Sequence, residues 1–214
     1  MKKWKGTDMN KQIFIAEIKT QSPFGFKSEH SFGDLMDVAI ENGDWISVHT
    51  NALWGGDYNA ISFVRRNTNK PILAKGIHAT DDDVLKAIDH GADYVLVVDR
   101  QFNGNTHVGK QVIYERHDPH FAFQNSKGWS QLDMQVHRIN GNFPNENIPL
   151  KYLVNARNLS TGKMKPNYTG EMINYIKAGV WVCQGSGIKS RSDVHLNVHA
   201  FVVGEHLIDF CFDL

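Results

Sequence analysis

Cysteine is nearly absent: Cys183 and Cys211 are the only two in 214 residues. Two thiols cannot build a disulfide framework, so a reduced, cytoplasmic setting is the default expectation. An excess of either charge is lacking as well. Lysine and arginine total 23, aspartate and glutamate total 23, and the formal net charge is +0 with histidine neutral. No whole-molecule field therefore points to nucleic acid or to a membrane surface. Long apolar runs are missing too. No stretch is long enough to span a bilayer, and the basic start Met1-Lys2-Lys3-Trp4-Lys5 is not followed by the apolar core of a secretory signal. What is present is ordinary: 41% hydrophobic and 21% charged residues, which suits a single domain over residues 1–214 with a sizeable core.

Short apolar runs alternate with helical patterns along this chain. The runs Ile13–Ile18, Trp45–His49, Ile72–Ala74, Tyr94–Val98, Val112–Glu115, Tyr152–Asn155, Val180–Cys183 and Phe201–Val203 read as strands. Most are nearly continuous rather than alternating, as in parallel strands buried on both faces. Ser31 caps a helix that places Leu35, Met36, Ala39 and Ile40 on one face and stops at Asn42-Gly43. Thr80 and Asp83 have the spacing of a capping box before a helix burying Val84, Leu85, Ala87 and Ile88 and ending at Gly91. Thr169 is placed to cap a third, with Met172, Ile173 and Ile176 inward and Gly179 as its stop. Eight strands in this rhythm predict a (β/α)8 TIM barrel, an α/β fold whose site lies at the C-terminal strand ends. The fourth and fifth helical connections are reduced. The stretch Asp99–Asn105 is too short and too rich in Gly and Asn for a helix, and Pro119–Pro149 is polar without a helical period. Little chain remains after the last strand for a closing helix.

The segment Ala16-Glu17-Ile18-Lys19-Thr20-Gln21-Ser22-Pro23 closes the first strand. Residues two apart share a strand face, so Glu17 and Lys19 project together from one strand end. An acid and a base side by side at a barrel mouth suit chemistry; a rim ion pair is the other reading. Gly185-Ser186-Gly187 and Gly204-Glu205 follow the last two strands, where barrels commonly seat a phosphate on backbone N–H groups. Ser22 and Ser186 could add hydroxyl donors. In that picture Glu205 supplies its amide and turns its carboxylate away. Tight βα turns are the plainer explanation of these glycines. Trp54, Ile77 and Trp4 are candidates for the pocket wall. His117-x-x-His120 with Asp118, and His195 with His199, have metal-compatible spacing but lack the partners of a known site, so no metal is assigned. Asn158-Leu159-Ser160 and Asn167-Tyr168-Thr169 fit the glycosylation pattern, which carries no meaning in a cytoplasmic protein.

Taken in order, several segments resemble the indole-3-glycerol phosphate synthase family. Its E-x-K-x-x-S-P motif is matched by Glu17, Lys19, Ser22 and Pro23. Its second strand resembles Ile46-Ser47-Val48-His49-Thr50 with Trp54-Gly55 after it. The third resembles Pro71-Ile72-Leu73-Ala74-Lys75, and the fifth Tyr114-Glu115-Arg116-His117-Asp118. The sixth resembles Val154-Asn155-Ala156-Arg157-Asn158-Leu159, the seventh Ser186-Gly187-Ile188 with Arg191-Ser192-Asp193-Val194, and the eighth Ala200-Phe201-Val202-Val203-Gly204-Glu205.

The resemblance implies ring closure, decarboxylation and dehydration of 1-(2-carboxyphenylamino)-1-deoxyribulose 5-phosphate without a cofactor. Lys75 would be the general acid, its pKa lowered by neighbouring cations. Glu115 would be the general base, Glu17 the group orienting the lysines, Lys19 the carboxylate anchor and Asn155 a hydrogen-bonding partner of the substrate. Ser22, Arg157, Ser186, Gly187, Gly204, Glu205 and Trp54 would bind substrate or its phosphate. Partners are then limited to a phosphorylated small molecule, with the protein a monomer or weak homo-oligomer.

Four departures from the family pattern stand out. Only Met1 to Gln12 precede the first strand, Gly76 replaces an aspartate, Gly185 replaces a glutamate with Gln184 as a substitute hydrogen-bonder, and the fourth and fifth helices are lost, leaving Pro119–Pro149 as a candidate lid. Two alternatives remain at this stage. One is a phosphate-binding barrel without turnover. The other is a phosphoribosylanthranilate isomerase-like enzyme, against which stand Glu17 and Lys19 in place of a first-strand cysteine and Asn155 in place of a sixth-strand aspartate.

Overall fold

The computed structural model describes residues 12–98, 100, 102–115, 151–159 and 161–212. Its eight strands are β1 (Ile13–Ile18), β2 (Trp45–His49), β3 (Ile72–Lys75), β4 (Tyr94–Val98), β5 (Val112–Glu115), β6 (Lys151–Asn155), β7 (Trp181–Gly185) and β8 (Ala200–Val203). Every neighbouring pair is parallel, and β1 pairs with both β2 and β8, so the sheet closes into a barrel in chain order. Around it run α1 (Phe32–Asn42), α2 (Tyr58–Asn67), α3 (Asp81–Asp89), α4 (Thr106–Gly109), α5 (Tyr168–Lys177) and α6 (Leu207–Phe212). No described helix is long and apolar enough to cross a membrane.

The two faces of each strand are both buried, for different reasons. On β1, Phe14, Ala16 and Ile18 point outward and pack with Leu35, Met36 and Ala39 of α1 and Phe210 of α6. Ile15 points inward and meets Leu73, Leu96, Ile113, Leu153, Cys183, Ala200 and Val202 in a layer that fills the barrel. Each such side chain contributes about 1.5–3 kcal/mol on leaving water, so this layer holds the closed sheet. Below it, Trp45 stacks on Tyr94 with ring centroids 4.3 Å apart and lies 6.0 Å from Trp181. Lys151 Nζ sits 5.4 Å from the Tyr94 ring, and burial lowers its pKa to about 8. The N-terminal end of the barrel is therefore plugged by aromatic rings, and the inward positions at the C-terminal end are left to polar side chains.

The expected strands are all present, with ends shifted by a residue or two. Lys75, Lys151 and Gly185 belong to ladders although their side chains gave no apolar signal, because parallel pairing uses only the backbone. Ser31 with Asp34 and Thr80 with Asp83 form complete capping boxes. Leu85, expected inside α3, is instead 40% exposed, since only Val84 and Ala87 of that helix reach the barrel. Thr169 is not a cap: α5 begins one residue earlier, behind Asn167, whose side chain makes no capping bond. The fourth connection keeps one helical turn, α4, capped by Asn105, rather than losing its helix outright. The six-residue α6 closes the barrel in the short tail. Trp4, His117, Asp118, His120 and the Pro119–Pro149 segment lie outside the described residues.

Candidate active site

The strand period that puts Ile15 in the core puts Glu17 one layer higher, and the same step carries Leu73 to Lys75, Ile113 to Glu115 and Leu153 to Asn155. These four side chains, with His49 from β2, line one cavity of about 350 Å³ at the C-terminal end. All five are buried. Ionised groups so placed must be paired or hydrogen-bonded, and they are. Lys75 Nζ donates to Glu17 Oε1 at 2.5 Å. Asn155 Nδ2 donates to Glu115 Oε1 at 2.9 Å, while Asn155 Oδ1 accepts from the Arg157 amide at 3.0 Å. His49 Nε2 lies 3.0 Å from Glu17 Oε1 but off the line of a hydrogen bond.

Burial works against the charge on Glu17, but Lys75 and then His49 outweigh it and hold the carboxyl well below its usual range. Burial likewise opposes the Lys75 ammonium; Glu17 and then Glu115 outweigh it, and its pKa is raised. The sequence-predicted lowering is therefore overturned, because Lys75 faces two carboxylates rather than a cluster of cations. Burial lowers the pKa of His49 against the pull of Glu17, so that ring is neutral.

A second layer of charge rims the opening. Lys19 Nζ donates to Glu205 Oε1 at 2.8 Å, and Arg157 Nη2 donates to Glu205 Oε2 at 3.2 Å. The Glu205 carboxylate thus turns into the cavity and bridges two cations, the reverse of the orientation expected from sequence. Across from it, Ser186 (φ 64°) and Gly187 (φ 74°) make a left-handed turn that also lines the cavity. Ser186 is strained there, a feature that clusters at functional turns. Among the described residues, no acceptor takes the amides of Gly187, Ile188, Glu205 or His206.

Trp54 stands in the 3-10 turn Ala52–Trp54 and stacks on His49, rings 5.7 Å apart and 8° from parallel. Ile77, Leu96 and Val98 continue that apolar wall. Glu17, Lys19, Trp54, Lys75, Glu115, Asn155, Arg157, Ser186, Gly187, Gly204 and Glu205 accordingly meet around one space. Ser22 does not join them; its hydroxyl accepts from the Phe24 amide at 3.3 Å and lies off the cavity lining. Gln184 does not replace a seventh-strand carboxylate either. It faces the helices, donating to Asp193 O at 2.8 Å and accepting from His195 N at 2.8 Å. A Cβ on Gly76 would stand 2.3 Å from Thr50 Oγ1, so the third-strand departure fits the local packing. His199 Nδ1 accepts from Val182 N at 3.1 Å, a strand-end role.

Sequence reasoning missed His49, Phe24, Met164, Lys189 and His206 as lining residues. For His49 a signal existed, since it follows Trp45 and Ser47 on the inward face of β2.

This closed (β/α)8 barrel carries a buried acid–lysine–acid cluster at the end where barrels of its kind build active sites. No family model matches the chain. Among curated proteins, the indole-3-glycerol phosphate synthase of Campylobacter hominis is 28% identical over 218 residues, covering 92% of this chain and 76% of that protein. The enzymes of the same name from Sulfurimonas denitrificans and Thermoanaerobacter pseudethanolicus are 26% and 27% identical, covering 91% and 94% of this chain and 73% and 76% of their own lengths. Among solved structures, KGPDC from Streptococcus mutans aligns at a TM-score of 0.56 with 13% identity, covering 90% of this chain and 87% of that one. A second structure of that protein, in complex with a phosphorylated sugar, aligns at 0.54. At 13% identity this is likeness of fold. In sequence, the chain is similar to the indole-3-glycerol phosphate synthases across more than 90% of its length.

Proposed function

We propose that this chain is an indole-3-glycerol phosphate synthase, converting 1-(2-carboxyphenylamino)-1-deoxyribulose 5-phosphate to indole-3-glycerol phosphate, carbon dioxide and water. The observation that carries this reading is the burial of Lys75 against Glu17, in the field of Glu115, at the inner end of an open cavity. Its raised pKa keeps Lys75 charged until the chemistry begins. As the aromatic carbon bonds to C2′, the carbonyl oxygen becomes an alkoxide, a stronger base than an amine, and takes the proton from Nζ. The ring carboxylate then leaves as carbon dioxide, and its electrons restore aromaticity by neutralising the iminium formed on closure. In the last step the C2′ hydroxyl leaves as water while Glu115 removes a proton from C1′, giving the indole double bond.

The remaining residues bind. Trp54, Ile77, Leu96 and Val98 wall the aromatic ring. Lys19 anchors the substrate carboxylate, with Asn155 holding Glu115 in place. The amides of Gly187, Ile188, Glu205 and His206, with Ser186, seat the phosphate, as backbone donors commonly do in this part of a barrel. Arg157 adds charge at the rim.

The test is to supply the carboxyphenylamino substrate and follow indole fluorescence. Turnover is expected in the wild type, falling roughly a hundred- to ten-thousandfold in Lys75→Ala and Glu115→Gln. The second reading, a phosphate-binding barrel without turnover, is favoured by Gly185, which leaves β7 without a cavity carboxylate; a Cβ there would meet Leu153 Cδ2 at 2.9 Å. It predicts binding of the product ester with no indole formed.

A further inference from the structure

His49 lines the cavity at 6% exposure, and neither of its ring nitrogens has a hydrogen-bond partner. A buried polar group without a partner is unfavourable, and such exceptions call for a second state in which the bond is made. Glu17 supplies that state. Its Oε1 holds Lys75 Nζ at 2.5 Å, while His49 Nε2 stands 3.0 Å from the same oxygen. The other oxygen is confined, because a Cβ on Gly204 would come within 2.0 Å of Oε2. Glu17 is 4% exposed, so solvent is poorly placed to replace a lost donor. Lys75 can turn toward a ligand only if another donor takes Oε1. Trp54, stacked on the imidazole, holds its plane.

We propose that His49 is a positioning residue, a standby donor whose Nε2–H takes Glu17 Oε1 when Lys75 releases it, freeing Lys75 for the ligand. The charged groups acting on the ring are Glu17, Lys75 and Lys19. A neutral imidazole does this without adding a cation that would compete with Lys75 for Glu17. The inference deepens the proposed function and rests on its reading of Glu17 and Lys75 as the working pair.

The test needs no substrate. Acetic anhydride is applied to the wild type, His49→Leu and His49→Gln, and acetylation of Lys75 is read by peptide mass spectrometry against exposed Lys27. His49→Leu is expected to slow Lys75 labelling about tenfold, the equivalent of one hydrogen bond, with Lys27 unchanged. His49→Gln, which keeps an amide donor, stays near the wild-type rate. Under turnover the leucine variant loses kcat by the same factor at unchanged KM. Its melting temperature does not fall, since an unbonded polar ring is replaced by an apolar group. Wild-type labelling in His49→Leu, equal slowing in both variants, or a lowered melting temperature overturns the proposal. Slowed labelling in a protein that makes no indole would uphold it while sinking the enzyme reading.

Discussion

Glu205 neutralises Lys19 and Arg157 at the cavity mouth, at 2.8 and 3.2 Å, so the two cations best placed for an anionic substrate are already occupied. An incoming carboxylate must share or displace it. Glu205→Gln is therefore expected to bind anions more tightly, lowering KM about three- to tenfold, since rim charges act through local potential; steady-state kinetics reads it, and an unchanged or raised KM contradicts it. The same residue shows where sequence stopped being legible. Glu17, Lys75, Glu115 and Asn155 were readable because strand alternation fixes their direction. Glu205 and Gln184 sit where the chain leaves β8 and where β7 turns outward, and only the folded loop decides which way each side chain faces.

At the scale of elements, the capping boxes were as legible as the strands. The Thr80 hydroxyl accepts from the Asp83 amide at 3.2 Å, and the Asp83 carboxylate accepts from the Thr80 amide at 2.9 Å. Thr80→Ala is expected to lose about 1 kcal/mol, measured by chemical denaturation, with catalysis untouched because α3 lies outside the barrel. The helix missed from sequence, α2, has a cap signal in Asp57, whose side chain accepts from the Ala60 amide at 2.8 Å. Its apolar face is narrow, with only Ile61 and Val64 buried and Arg65, Arg66 and Asn67 ending it. Such a face gives weak periodicity, and the barrel supplies the packing that makes it a helix. The start of α5 was misread for a related reason: Asn167 precedes the helix without a side-chain bond, so no cap chemistry marks the boundary.

At the scale of the whole molecule, one end is plugged by Trp45, Tyr94 and Trp181, and the ionisable groups crowd at the other. This asymmetry has a consequence for pH. Burial holds His49, His78 and His199 below the ordinary histidine pKa. The unfolded chain takes up protons near pH 6.5, the folded one does not, and the unfolded state is favoured as pH falls through that window. Glu17 acts lower down: its depressed carboxyl contributes stability above about pH 4.3 that is lost as pH falls toward its folded value. The melting temperature is thus expected to hold near pH 7.5 and decline from about pH 6.5 downward; a rise on acidification to pH 5.5 would contradict these assignments.

The central claim is that one buried lysine, set between two carboxylates, drives ring closure with loss of the ring carboxylate. Its most direct measurement is the stoichiometry of carbon dioxide against indole, using substrate labelled in the carboxyl carbon. One labelled carbon dioxide for each indole formed, with both abolished together in Lys75→Ala, is the predicted result. Tight binding of the labelled substrate with neither product released would contradict the account.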